Sequence, residues 1–357
     1  MKNALRHELK QCLLPLVIFS AVSAVVCIIY SATQSLEYSR FDAEGIFAAD
    51  SCVMVSTAML AALCTVTPVM QFSYRMKKRS VDLWYALPIS RTRLAAVKTV
   101  GGLVLTLLPY TVGFWLTVIV VAARGAHFAY EWYLPLYFLS LVFGAGLFGV
   151  NAFLFTRGNT IGDGIVFLVL WGALLPMFVF LTQAGFYAYV NNVYVRDPSF
   201  EDIAVSLFTY SPITVAADFF DAMIRHNVSQ AGTLVSHGDS VMLAVALPVG
   251  AVESVAAYVA LFLRAERDRA ENVGQISSSP MGYKALIPVY GALMGAMGRL
   301  MYVEGAFVLL LLALTLIGEL VLYFVYRRSF RLKRVDVISI AVSLVIAVAL
   351  FFALPMR

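Results

Sequence analysis

Charge is scarce in this chain. Of its 357 residues only 13% are Asp, Glu, Lys or Arg, while 61% are hydrophobic. Soluble domains run nearer roughly 25% charged and roughly 45–50% apolar. So few charges cannot solvate a particle of this size, which excludes a water-soluble globular protein and leaves the surplus apolar side chains to face lipid. The four cysteines, Cys12, Cys27, Cys52 and Cys64, form no C-x-x-C pair, which excludes a disulfide framework or a zinc site of that type. The four histidines, His7, His127, His226 and His237, have no metal-ligand spacing, and H-E-x-x-H is absent. No G-x-x-x-x-G-K-[ST] run occurs, so the chain has no phosphate-cradling loop; an ATP-driven process would need hydrolysis by another polypeptide. The net charge of +5 is too small and too dispersed for a nucleic-acid binder.

What the chain has is long apolar runs. Segments 12–31, 51–72, 99–123, 133–156, 165–190, 240–263, 305–326 and 335–354 each have about the length a bilayer requires of a helix. A weaker candidate covers 284–302. The runs are continuously apolar instead of alternating, which argues against a transmembrane β-barrel. The first is too long for a signal peptide, carries Glu8 in its basic region, lacks a small-residue cleavage site, and reads as a retained anchor. The predicted class is an all-α, polytopic transmembrane bundle.

Basic residues set its orientation. Lys2, Arg6 and Lys10 precede the first run. Arg75, Lys77, Lys78, Arg79, Arg91, Arg93 and Lys98 follow the second against a single acid, Asp82. Arg264, Arg267 and Arg269, then Arg327, Arg328, Arg331, Lys333 and Arg334, mark later inner loops. Alternate loops are acidic: Glu37, Asp42, Glu44 and Asp50, then Asp197, Glu201, Asp202, Asp218, Asp221 and Asp239. For Arg269 and Arg327 to share the cytoplasmic side, 284–302 must cross. That gives nine spans with the amino terminus inside; eight is the alternative, with 284–302 re-entrant. Gly291, Gly295 and Gly298 would let that segment approach a neighbour closely. Aromatics mark the outer interface at Tyr130, Trp132, Tyr133, Tyr187, Tyr189 and Tyr194, whereas Trp115 and Trp171 read as packing residues.

Two hydrophilic segments carry information. In 75–98, Ser80 is a candidate N-cap with Asp82 in the first turn. Leu83, Trp84, Tyr85 and Leu87 follow, Pro88 ends the turn, and Ser90 or Thr92 can cap a second helix entering the third span. The product is a short helix with bulky apolar residues between basic flanks. It could rest among lipid headgroups, or its aromatic anchors could fill a groove on a cytoplasmic partner. In 191–239, Ser199 with Asp202 resembles a capping box, and Ser211-Pro212 starts a second amphipathic helix. These read as a passive lid or as elements that gate substrate release. Asn227-Val228-Ser229 matches a glycosylation acceptor, a short tripeptide to which no role is assigned.

Glu253 and Glu319 fall inside predicted spans, where an ionisable group is costly and is a functional candidate by default. They are the translocation candidates. A structural reading has Glu319 reaching Arg327 or Arg328 and Glu253 protonated within the bundle. Gly162 and Gly164 flank Asp163 in a tight inner turn.

The run Lys78-Arg79-Ser80-Val81-Asp82-Leu83-Trp84-Tyr85-Ala86-Leu87-Pro88-Ile89-Ser90-Arg91 resembles the K-R-S-x-D-x-x-x-x-L-P-x-x-R stretch of ABC-2-type exporter permeases from Gram-positive bacteria. Arg264-x-x-x-x-Arg269-Ala270-Glu271 and Arg327-Arg328-Ser329-Phe330-Arg331 are similar to the same group. The resemblance implies a six-span core over 1–263, with an elbow helix at 1–11, a cytoplasmic coupling loop at 75–98 and extracellular helices at 199–226. A linker and two or three further helices would occupy 264–357. It implies that Ser80, Asp82, Leu83, Trp84, Tyr85, Leu87, Pro88 and Arg91 meet a separate ATP-binding subunit. This chain would hold no cofactor and no ATPase of its own, ATP and Mg residing on that partner. A second permease copy or a sister permease would complete the pathway in the bacterial plasma membrane. The alternative function is a proton-coupled secondary transporter using Glu253 and Glu319. That reading expects repeated halves, and none is visible. An intramembrane enzyme is disfavoured by the missing catalytic constellation.

Overall fold

A computed structural model describes residues 2–34, 37–38, 47–48, 50–125, 130–172, 174, 237–267, 270–275, 277, 279, 281–300 and 306–353. The expected outer helices 199–226, the tripeptide at 227 and most of the second half of the 165–190 run lie outside the described residues. The described elements are helical apart from a two-residue antiparallel ladder, Glu37–Tyr38 with Phe47–Ala48. The helices are α1 (Lys2–Thr33), α2 (Asp50–Phe72), α3 (Lys78–Tyr85), α4 (Arg91–Ala123), α5 (Tyr130–Phe155), α6 (Ile161–Gly172), α7 (His237–Ala265), α8 (Tyr283–Leu300), α9 (Ala306–Arg327) and α10 (Arg334–Ala353). Among the described residues six helices are long and apolar enough to cross a membrane: α1, α2 with its extension to Met76, α4, α5, α9 and α10.

The chain divides into two compact units, Met1–Phe153 with Thr209–Ala270 and Leu154–Phe208 with Glu271–Arg357. The second unit thus joins 154–208 to 271–357. The reason is local packing: the Trp171 indole donates to the Met281 carbonyl at 2.7 Å, and Phe167 packs edge-on against Tyr283 at 4.9 Å.

Contacts in the first unit fix the direction of each helix. Gly101 of α4 lies against Glu8 and Cys12, Gly113 against Ser23 and Cys27, and Arg124 donates to the Ser31 carbonyl at 2.7 Å. Helices α1 and α4 therefore run parallel. Thr67 meets Thr106 at 2.6 Å and Ser56 meets Thr117 at 3.0 Å, so α2 runs antiparallel to α4. Gly102 sits flush on Phe148 and Thr111 bonds Tyr137, so α5 is antiparallel to α4 too. Gly146 closes on Ser254 and Gly149 on the Tyr258 ring, which places α7 parallel to α5, and the Tyr258 hydroxyl donates to the Ala145 carbonyl.

The interior of this unit mixes large apolar side chains, Phe72, Phe114 and Phe148 among them, with small polar ones, while its exterior is apolar. Helix α1 buries Ser23, Cys27 and Ser31 while exposing Leu13, Leu14, Val17, Val25 and Ile29. That inversion suits a helix whose surroundings are as apolar as its own side chains, where small residues and hydroxyls make the helix contacts. One helix proline is accommodated by a polar side chain from a neighbouring helix. Pro68 has no N–H for the Cys64 carbonyl one turn back, and the Asn151 amide of α5 donates to that carbonyl at 2.9 Å instead.

The candidate elbow residues 2–11 lie within α1. Helix α1 continues through Pro15 as one element, which keeps Glu8 and Cys12 stacked one turn apart on the face that meets α4.

In the second unit, α9 is antiparallel to both α8 and α10. Tyr283 packs on Tyr326, Tyr290 lies beside Gly318, and Glu319 meets Ser343. The α9–α10 turn is closed by a fork in which Arg327 Nε and Nη2 donate to Asp336 Oδ2 and Oδ1 at 2.9 and 2.6 Å. Arg327 thus pairs with Asp336, not with Glu319. At the same end Asp163 accepts from Tyr283 OH at 2.9 Å and faces Arg328 at 3.5 Å. Arg328, held at φ 51, also donates to the Gly274 carbonyl. The start of α6, the start of α8 and the end of α9 therefore converge. The turn before α6 is tight: a Cβ at Gly158 would overlap the Gly164 backbone.

Candidate functional site

The coupling segment begins as α2 ends. A 3-10 turn, Ser73–Met76, leads through extended Lys77 into α3, an eight-residue helix. Its N-cap is Lys77 and makes no side-chain bond, so Ser80 lies inside the helix and Asp82 in its middle. Packing explains the early start: Val81 is buried, and so are Tyr74 and Met76 just before the helix. So short a helix is marginal by itself, and tertiary contacts hold it. After the turn at 86–89, Ser90 caps α4 by accepting from the Arg93 N–H at 3.4 Å. Thr92, the other cap candidate, donates to Glu266 at 2.8 Å and joins α4 to the end of α7.

The two aromatic anchors turn toward α4. Lys98 Nζ stands 4.2 Å from the Trp84 ring centre and 5.5 Å from that of Tyr74, while Trp84 and Tyr74 pack at 5.8 Å. The Arg91 guanidinium covers Tyr85 at 4.6 Å. Both rings are only half-exposed, and cation–π attraction grows as its partners lose water. The outward strip of the segment is Lys77, Lys78, Arg79, Asp82, Leu83, Ala86, Leu87 and Pro88, with Leu83 68% exposed. Leu83, not Trp84, is the most prominent apolar group that α3 presents.

Behind Lys98 lies a buried network that sequence reasoning missed. Lys98 Nζ pairs with Glu8 Oε2 at 2.7 Å, with both side chains almost wholly buried. Cys12 donates weakly to Glu8 Oε1, and the Gln71 amide lies 3.2 Å from Cys12 Sγ. Gly101 makes room for all three: a Cβ there would come within 3.1 Å of Glu8. The ion pair thus joins the first helix to the start of α4, Gln71 ties the end of α2 to the same spot through Cys12, and the Trp84 ring stacks on the cation. The signal in the sequence was two opposite charges, each at the same end of an apolar run.

The two carboxylates of the predicted spans fall in different units. Glu253 sits half-exposed on α7 between exposed Val252 and Val255. Glu319 is fully buried where α9 meets α8 and α10. Of the predicted close-approach glycines, Gly291 takes that role, lying directly against Glu319 and Ser343. Among the described residues no group of three or more His, Cys, Asp or Glu could hold a metal ion. No protein-family model, curated protein or solved structure matches this chain.

Proposed function

We propose that the chain is the membrane-spanning permease subunit of an ATP-driven exporter in a bacterial plasma membrane, docking through α3 on a separate ATP-binding subunit. It crosses nine times with the amino terminus in the cytoplasm. A second copy or a sister permease completes the pathway. The observation that carries this reading is the clamp of Trp84 over Lys98, itself paired with Glu8. It fixes a short helix outside the long helices, with Leu83 pointing away from them.

Helix directions support the nine crossings. In the first unit, the start of α1, the end of α2, the start of α4 and the end of α7 share one end, and that end carries Lys10, Arg75, Lys78, Arg79, Arg93 and Arg264. In the second, the starts of α6, α8 and α10 and the end of α9 share an end with Arg327, Arg328, Lys333 and Arg334. Clustered Lys and Arg favour the cytoplasmic side. Helix α8, at 18 residues, is about 27 Å long, close to the roughly 30 Å of the hydrocarbon core.

The mechanism is a population shift. The partner's two nucleotide states offer α3 different contacts, because equal contacts would shift nothing. Displacement of α3 reaches Lys98 through the Trp84 ring, and from Lys98 it reaches α1 through Glu8. The helices so moved, α1, α2 and α4, are those whose mutual contacts are hydroxyls and glycines, which slide more easily than interlocked large side chains.

Purification of the tagged chain from its native membrane tests the reading. A stoichiometric polypeptide with ATPase activity is expected to accompany it, and Trp84→Ala should leave that complex assembled but lower transport per ATP hydrolysed. Purification without an ATPase, under conditions that keep the chain folded, overturns the proposal.

A further inference from the structure

Among the described residues, Glu319 is the most deeply buried carboxylic acid that the docking mechanism does not use. It sits at the centre of the second unit, and three helices close over it. A Cβ at Gly291 of α8 would overlap its Oε1, Ser343 of α10 lies 2.5 Å from the same oxygen, and no solvent reaches it. Tyr290 of α8 lies against Gly318, next to Glu319 in the chain, and Tyr323 follows one turn later on α9. Asp336 and Arg327, two turns away, are engaged with each other. Among the described residues no Lys, Arg or His pairs with Glu319. An ionised carboxylate in such surroundings costs several kcal/mol.

The hydrogen bonds point the same way. Ser343 Oγ lies 2.9 Å from the Ile340 carbonyl and 2.5 Å from Glu319 Oε1. The Ser343 hydroxyl, with its single proton, donates to Glu319 Oε1, and among the described residues it is the one hydrogen bond the carboxyl receives, too little to offset the burial of a charge. Glu319 Oε2 has no hydrogen-bond partner at all and is shut off from water. Thr315, one turn earlier, is committed to the Leu311 carbonyl. The packed site thus holds one carboxyl in contact with one serine hydroxyl, and among the described residues no cation stands beside it.

We propose that Glu319 is a membrane-embedded proton-binding site, and that its bound proton is what lets α8 close against α9 and α10. The site does not depend on the ATPase reading and can be tested on the purified chain alone. A buried acid that holds its proton only in the packed state contributes stability at low pH, and that contribution disappears as pH rises through the point where the packed acid ionises.

The probe is N,N′-dicyclohexylcarbodiimide, an apolar reagent that adds to protonated carboxyl groups, applied in detergent or lipid and read by peptide mass spectrometry. Glu319 should be labelled at neutral pH, and labelling should fall by about tenfold per pH unit once the proton is lost. Glu319→Gln, a permanently neutral replacement, should make the thermal midpoint of the chain independent of pH over the interval in which the wild type declines. Failure of the reagent to label Glu319 at any pH, or a decline with pH that persists unchanged in Glu319→Gln, overturns the proposal. Should the Gln variant not fold, the pH dependence of labelling in the wild type decides alone.

Discussion

Lys98 lies between Glu8 and Trp84: its ammonium is 2.7 Å from the carboxylate and 4.2 Å from the centre of the indole ring. These groups belong to α4, α1 and α3, and their order makes the cation the link between a surface helix and the interior of the first unit. Removing one member of a buried pair leaves the other charge uncompensated, at a cost of roughly 3–5 kcal/mol, whereas replacing both by apolar groups can be neutral. Lys98→Met and Glu8→Leu should each lower the unfolding midpoint in detergent, and the double variant should recover most of the loss. Additive losses would show that the pair does not act as a unit.

Asn151 and Pro68 make a second, independent pair. Proline removes a donor from α2 and asparagine restores one from α5. An unsatisfied buried carbonyl costs about 1–3 kcal/mol. Asn151→Leu should therefore be destabilising in the natural background and much less so in the presence of Pro68→Ala, which returns the backbone N–H. Thermal unfolding of the four chains measures the coupling directly.

At the α9–α10 turn, the two-pronged contact of Arg327 with Asp336 is specific to a guanidinium. Lysine keeps the charge but offers a single point contact. Arg327→Lys should loosen the turn, and limited proteolysis at 328–333 should become faster even though net charge is unchanged. Equal cleavage rates would mean that charge alone holds the turn.

Much of the helical framework was legible because a helix that must cross hydrocarbon needs a long apolar run. The runs at 12–31, 51–72, 99–123, 133–156, 305–326 and 335–354 coincide with α1, α2, α4, α5, α9 and α10, while α7 and α8 overlie the runs at 240–263 and 284–302. What periodicity does not show is which runs meet. Glu8 and Lys98 are 90 residues apart, and nothing in either neighbourhood names the other. The same gap explains the misplaced start of α3. A capping rule favours Ser80, but burial of Val81 and the Trp84 contact with Lys98 draw the helix start back to Lys78. It also explains why Trp84 read as an outward anchor: a tryptophan in a hydrophilic segment signals a contact without saying on which side. The residues expected as an elbow, 1–11, lie for the most part within α1, whose Glu8 pairs with Lys98.

Exposure of Leu83 and burial of the cysteines at 12, 27, 52 and 64 allow one direct measurement of the central claim. A photoreactive cross-linker attached to Leu83→Cys and activated in native membranes should join the chain to a polypeptide carrying an ATP-binding P-loop, with the yield changing when ATP is added. Attachment of a membrane-impermeant thiol reagent at position 83 from the exterior of intact cells, or cross-linking to lipid alone, would contradict it.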